Sequence, residues 1–318
     1  MSDEMLLKPK FYDDKTLILR GLKNKKQKKV DSKYFYDEQG SKLFEKITNL
    51  KEYYQTKTEM NILSQNKHEI KKNTPSAASI IEFGSGSNKK IKEFLNILEK
   101  PSEYIPIDIS EKYLNDKAKE FSYFFPKIKI IPICSDFQDT LKIKNKINKN
   151  KNLVGFFPGS TIGNISPYKA KKLLIKFSSL LGADNKILIG IDLKKQKRIL
   201  EKAYNDDQGI TAKFNKNLLI RLNREFNAFF NPKHFSHLAF FNSKYSRIEM
   251  HLKSTIEQNI NVLNEKIFFK KGETIHTENS YKYSIKSFSK LSEDSNYEIL
   301  NIFKDHDNLF ALFLLKVK

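Results

Sequence analysis

The 318-residue chain has no tryptophan, a single cysteine (Cys134) and four methionines, and only five of its 58 basic residues are arginine. A lone thiol cannot close an intrachain disulfide or build a cysteine-rich zinc site, so a reducing cytoplasm is the expected compartment. No run approaches the ~18 apolar residues of a membrane-spanning helix. The opening MSDEMLLKPKFYDDK has no apolar stretch of secretory type, so neither membrane insertion nor export is expected. The shortage of arginine bears on the net charge of +21. A basic surface attracts phosphate. The planar fork that grips phosphate and reads guanine, however, belongs to arginine. Lysine, asparagine and isoleucine share AT-rich codons, and base composition alone accounts for a lysine-rich surface. Nucleic acid is therefore not expected as a partner.

Apolar residues make up 39% of the chain, with 25 Phe and 14 Tyr. That supports a substantial core and excludes wholesale disorder. The first thirty residues read as a solvated, lysine-rich segment. Leu43, Phe44, Ile47 and Leu50 then recur at helical spacing, with Gly40 and Ser41 marking a helix start. From Ser79 the rhythm changes. The short apolar runs SIIEF (79–83), EYIPIDI (103–109), KIKIIPI (127–133), LVGFF (153–157) and KILIGIDL (186–193) alternate with helical stretches. Such alternation predicts an α/β fold, a parallel sheet covered by helices on both faces. The lysine- and asparagine-rich 142–152 reads as a solvated loop. After Asp192 the alternation stops. An insertion of helical and then strand text follows to about 282, then a helix near 284–293. Two last strands, 297–303 and 309–317, form a C-terminal hairpin. We expect 61–193 with 283–318 to form one domain, and 1–60 with 194–282 a second, α+β lobe over it.

The first strand runs into Gly84-Ser85-Gly86-Ser87. Glycines here let the backbone turn sharply and approach a ligand closely. Lys89 stands where a dinucleotide fingerprint needs its third small residue, so that motif is incomplete. With Glu82 the pattern is E-x-G-x-G, like the first motif of S-adenosylmethionine-dependent methyltransferases. Asp108 ends the second strand, about 20 residues on, where an acid accepts from ribose hydroxyls or else caps the next helix. Asp136 and Phe137 end the third, an acceptor for an adenine amino group beside a ring that either stacks on it or belongs to the core. Three such sites at consecutive strand ends point to a nucleoside cofactor. The fourth strand ends in FFPGSTIGN (156–164), where Pro158-Gly159 breaks the strand and Asn164 supplies a polar group or caps the next helix.

In the insertion, GETIHTENSYKYS (272–284) gathers His276, Thr277, Glu278, Asn279 and Ser280 in what reads as either a loop or a recognition element. His276 and Glu278 have no second His or Cys at ligand spacing, so no metal is expected. A carboxylate beside a hydroxyl suits an imidazole, whose two ring nitrogens donate and accept.

These stretches together resemble the L-histidine Nα-methyltransferases of ergothioneine biosynthesis. The likeness runs from about Lys33 to the C-terminus through YFYDEQGSKLFEKIT, EFGSGS, IPIDIS, SDF, FFPGSTIGN, AYNDDQGITAKFN, SRIEMHL and IHTENSYKYS. It implies a class I methyltransferase, with a Rossmann-like sheet, a C-terminal hairpin and a substrate lobe. It also implies S-adenosylmethionine as methyl donor, held by Gly84, Ser85, Gly86, Lys90, Asp108, Asp136 and Phe137. By the same resemblance Tyr53, Asn164 and Tyr204, helped by Tyr36, Gly159 and Thr211, hold the amino and carboxylate groups of L-histidine. Phe44 and Met250 pack nearby, and Glu278 and Ser280 read the imidazole. Tyr36 and Asn164 are the expected catalytic pair, orienting the neutral amine. Family members usually flank the tyrosine pair with prolines. Here it lies in Lys51-Glu52-Tyr53-Tyr54-Gln55, and which tyrosine faces the site stays open. The implied reaction is trimethylation to hercynine by a monomer. The alternatives are a different amino acid or, on the strength of the charge, an RNA-directed methyltransferase.

Overall fold

The apolar runs become neighbouring strands of one sheet in the computed structural model, which describes residues 13–86, 88–148 and 152–318. The order across the sheet is Tyr297–Lys304, Phe310–Val317, Lys186–Asp192, Leu153–Phe157, Ser79–Phe83, Glu103–Asp108 and finally Lys129–Ile130, with Ile133–Cys134 also on Glu103–Asp108. The strands from Lys186–Asp192 outward to that last edge are parallel. The C-terminal hairpin adds antiparallel to Lys186–Asp192. Every residue of Ser79–Phe83 and Leu153–Phe157 is buried, as expected of strands covered on both faces. Alternate side chains divide between the two faces. Ile81, Phe83 and Ile105 join Leu173 and Phe177 on one side. Ile80, Tyr104 and Phe156 join Phe94 and Ile62 on the other. Phe83 stacks on Phe177 at 3.8 Å, and Phe94 on Phe156 at 4.5 Å.

Four expectations need correction. The run 127–133 forms two separate two-residue strands. The flanking register places Pro132 opposite Pro106, and a proline has no N–H to offer a ladder. The segment before residue 30 is not simply solvated. Asp13 caps the helix Asp14–Leu22, which buries Ile18 and Leu22. Lys28–Lys29 then pairs parallel with Ile275 and His276. Within 142–152, Ile143 and Ile147 are buried, and residues 149–151 lie outside the described part. The helix expected to start at Gly40 begins at Glu38, where the Asp37 carboxylate accepts the Gly40 N–H at 2.7 Å. Gly40 itself is required, because a Cβ there would lie 1.7 Å from the Phe35 carbonyl oxygen.

A second, four-stranded sheet has the order Lys28–Lys29, Thr274–Tyr281, Arg247–Ser254, Phe235–Asn242. A third core of residues from both chain segments lies on it, including Phe35, Leu43, Tyr53, Phe214, Leu218 and Met250. GETIHTENSYKYS is thus largely strand rather than loop. One irregularity matters. His276 pairs with His251, but Glu278 pairs with Met250, so Thr277 is an extra residue in the ladder. Such a bulge re-aims the side chains beyond it. Thr277 is anchored by donating its hydroxyl hydrogen toward Asn215 Oδ1, 2.8 Å away, and the Met250 carbonyl, 3.0 Å away. Among the described residues, no helix is long and apolar enough to cross a membrane.

Candidate active site

The carboxyl ends of the parallel strands carry the first half of the site. Gly84 leaves its strand at φ +80°, a conformation that favours glycine. The N–H groups of Gly84 and Ser85 both donate to the Ile107 carbonyl at 3.0 Å, fastening the turn to the next strand. Gly86 faces open space, since a Cβ there would meet nothing within 4 Å. Its carbonyl accepts from the Tyr113 hydroxyl at 2.6 Å and from Lys117. Burial lowers the Lys117 ammonium to about 8, against the pull of Glu82 and Asp108. Glu82, beneath the turn, is pushed up to about 7 by burial, while the Tyr104 hydroxyl bonded to it pulls the other way. Asp108 caps Ser110 N–H at 3.0 Å and is raised by burial. The backbone N–H groups of Ser110 and Ile109 fill only part of its acceptor capacity, which leaves carboxylate lone pairs free to accept from a diol. Phe137 packs on Phe157 and Phe177, and its ring edge lies 3.6 Å from where a Gly84 Cβ would stand. Asp136 is exposed and caps Gln138 N–H at 2.8 Å. An open glycine turn, an acid with free lone pairs and a part-exposed ring beside them fit a nucleoside with a short amino-acid tail.

The second half comes from the lobe. Tyr36, Phe44, Tyr53 and Tyr204 form a chain of edge-on rings, with centroids 5.8, 6.1 and 6.4 Å apart. The two adjacent tyrosines diverge. Tyr53 joins this aromatic wall, whereas the Tyr54 hydroxyl donates to Asp192 at 2.7 Å and accepts from Lys195 at 2.7 Å. Burial raises the Tyr36 and Tyr53 hydroxyls, and Glu278 adds to both shifts. Asp108 adds to the Tyr36 shift as well, so that hydroxyl feels carboxylates from both halves. The Glu278 carboxylate has no hydrogen-bond or ion-pair partner among the described residues, and burial lifts it to about 7 against the opposing Lys282. Met250 is its ladder partner. The Tyr204 hydroxyl donates to Ser280 Oγ at 2.8 Å, and His237 Nε2 holds the Tyr204 carbonyl at 2.9 Å. Thr211 is buried behind this wall, with its N–H bound by Asp206 at 2.8 Å.

The loop 158–164 lies between the halves. Gly159, at φ +74°, donates its N–H to both oxygens of Glu59 at 3.0 Å. Glu59 also pairs with Lys90 at 2.6 Å. One buried carboxylate thus ties the glycine-turn helix to the substrate-side loop. Ser160, at φ +55°, accepts the Asp192 N–H at 2.9 Å. Asn164 ends the short turn after it and is part-exposed. A Cβ on neighbouring Gly163 would come within 2.9 Å of the Tyr281 carbonyl, so loop and lobe strand are in close contact.

Sequence reasoning missed Glu59, Asp192 and Lys282. Asp192 is fully buried. Burial opposes its ionisation, but Lys282 at 2.6 Å and Lys195 outweigh that and hold its carboxyl below the usual range. Its place at the carboxyl end of the fifth strand was an available signal. For Lys282 the signal was period two, since Glu278, Ser280 and Lys282 alternate along the chain. Glu59 gave none. One metal-ligating group exists among the described residues, Glu249 with His251 and His276. Its two imidazoles are stacked 12° from parallel, so their in-plane lone pairs lie in separate, nearly parallel planes, and Arg247 already neutralises Glu249 at 2.6 Å.

A doubly wound sheet with a glycine turn and an acid at successive strand ends defines an α/β enzyme that holds a nucleoside cofactor. A family profile described as histidine-specific, S-adenosylmethionine-dependent methyltransferase matches residues 14–317. The chain is 36% identical over 261 residues to the histidine N-alpha-methyltransferase of Mycolicibacterium smegmatis, covering 80% of each chain. It is 34% identical over 264 residues to that of Mycobacterium tuberculosis, covering 81% of each. A 4-dimethylallyltryptophan N-methyltransferase of Claviceps purpurea is 25% identical over 325 residues, covering 94% of each. The chain belongs to the family of histidine-specific, S-adenosylmethionine-dependent methyltransferases. The match begins before Lys33, so the helix Asp14–Leu22 is part of the family fold, contrary to the sequence reading.

Proposed function

We propose that the protein trimethylates the α-amino nitrogen of L-histidine to hercynine, the first step of ergothioneine biosynthesis. The observation that carries the histidine reading is the Glu278 carboxylate beside Ser280, at the end of an aromatic wall and without a partner among the described residues. A carboxylate left unpaired in a desolvated place costs stability, and an imidazole N–H is a fitting partner for it.

In this reading Gly84, Ser85, Gly86 and Lys90 cradle the donor's amino-acid tail, Asp108 takes its ribose, and Asp136 with Phe137 its adenine. When bound, S-adenosylmethionine supplies a methyl on a sulfonium, already activated for attack by nitrogen. The protein therefore mainly aligns the nucleophile. Tyr53, Tyr204 and Asn164, with Gly159 and Thr211, hold the amino and carboxylate groups. Tyr36 and Asn164 orient the amine after its proton has left for solvent. Burial and Glu278 keep the Tyr36 hydroxyl protonated at neutral pH, so it positions the amine and is not a strong base. Phe44 and Met250 close the pocket.

We assign 61–193 with 283–318 to donor binding, and the segment up to 60 with 194–282 to the amino acid. The enzyme is proposed to act as a cytoplasmic monomer on the free amino acid, without nucleic acid. Incubation with histidine and S-adenosylmethionine should add one, two and then three CH2 increments to histidine by mass. No increment on histidine, with turnover of another amino acid from a panel of twenty, would replace the substrate. The Claviceps relative, named for a substituted tryptophan, makes that panel necessary.

A further inference from the structure

Lys282 is a lysine with no side-chain exposure, lying just past the strand that carries Glu278 and Ser280. Its Nζ is 2.6 Å from Asp192 Oδ2, 2.8 Å from Ser280 Oγ and 3.2 Å from the Tyr204 hydroxyl. An ammonium has three N–H donors and no acceptor, so in each of these contacts Lys282 donates. The geometry then fixes the hydroxyls. Ser280 Oγ accepts from Lys282 and also from the Tyr204 hydroxyl at 2.8 Å. A serine hydroxyl has two acceptor lone pairs and one hydrogen. With both acceptor sites filled, only the hydrogen of Ser280 is left for a further partner.

We infer that Lys282, held by Asp192, is a positioning residue that makes Ser280 a donor-only group and so selects a substrate ring with an acceptor nitrogen. The inference rests on the histidine reading above. Glu278 offers an acceptor and Ser280 a donor, so the pair fits a neutral imidazole in one tautomer. It disfavours an imidazolium, which would point an N–H at the Ser280 O–H. It also disfavours a pyrrole, which has no lone pair for Ser280. Without Lys282 one lone pair of Ser280 is freed, the Ser280–Tyr204 hydrogen bond can reverse, and Ser280 no longer demands an acceptor.

The test compares histidine with the pyrrolylalanines, which keep a ring N–H and lack the acceptor nitrogen, in wild type, Lys282→Met and Ser280→Ala. In wild type, histidine should be favoured in kcat/KM by about 100-fold, and Lys282→Met should narrow that ratio about tenfold, roughly the value of one hydrogen bond. The loss should fall on histidine and on KM. The pyrrolylalanine values and the S-adenosylmethionine Kd should stay within about twofold of wild type. Added to Ser280→Ala, Lys282→Met should change the ratio no further, because it acts through that hydroxyl. Lys282→Met leaves Asp192 with Lys195 alone; where that unfolds the chain, Lys282→Met with Asp192→Asn and Lys195→Met removes all three buried charges and is read in the same way. Equal loss for histidine and the analogues, or a further drop in the Ser280→Ala background, overturns the inference. Wild type that ignores histidine overturns the reading beneath it instead.

Discussion

The two halves of the site are built from different material. At the strand ends the proposed donor side is built around backbone: two N–H groups on one carbonyl and a carbonyl held by Tyr113 and Lys117, flanked by the acids Asp108 and Asp136. The lobe side is nearly all side chain, an aromatic wall ending in Glu278, Ser280 and Tyr204 over a buried Lys282–Asp192 pair. Backbone sites depend on local turn geometry and tolerate varied surroundings. Side-chain sites depend on contacts between distant segments and can be retuned one residue at a time. On this division the acceptor is retuned from the lobe while the donor turn stays as it is.

The sharpest way to break this contrast is a crossed pair of substitutions. Glu278→Ala should lower kcat/KM for histidine about 100-fold, as for loss of a charge-assisted hydrogen bond, and leave the S-adenosylmethionine Kd within about twofold. Asp108→Ala should do the reverse, weakening the donor by about tenfold or more. Calorimetric titration with each ligand reads both, and parallel losses would mean that the halves are not separable.

The tyrosine pair refines the comparison. Tyr53→Phe should raise the histidine KM about fivefold with little change in stability. Tyr54→Phe removes a hydroxyl shared by Asp192 and Lys195 and should cost about 1–2 kcal/mol of stability with a smaller effect on KM. Chemical denaturation alongside kinetics would separate them. The reverse pattern would put Tyr54, not Tyr53, against the substrate.

The smallest effect concerns Glu278 itself. Its folded carboxyl is lifted to about 7, above the unfolded value. The neutral form therefore supports the fold below the unfolded pKa, and this support is lost as pH rises through about 7. Glu278→Gln should raise Tm by about 1–3 °C at pH 8 and leave it unchanged near pH 4. A Tm gain that did not depend on pH would argue against this.

The sheet was legible because its strands are contiguous apolar runs, and the donor turn because glycine between strand and helix has a local meaning. The same logic led to Asp108 and Phe137, which the structure sets beside that turn. It failed where the structure depends on distance. The Asp14–Leu22 helix buries only one face, and its lysine-rich surroundings hid that. The bulge at Thr277 has no local mark, since it follows from pairing with Met250 and bonding to Asn215. Tyr54 and Asp192 lie 138 positions apart, and no spacing rule connects them. Nor did the text distinguish Tyr53 from Tyr54, because the choice depends on Phe44 and Tyr204 on one side and Lys195 on the other.

The interrupted rim of the large sheet has a consequence outside catalysis. An edge strand with a free ladder of N–H and C=O groups invites another chain to add to it. Here that edge is only two short pieces, parted by Pro132, and it carries an exposed Lys129. A neighbouring molecule finds too few consecutive donors to pair with and a positive charge at the margin. Lys129, one of the chain's many lysines, thus blunts this rim of the sheet against edge-to-edge pairing.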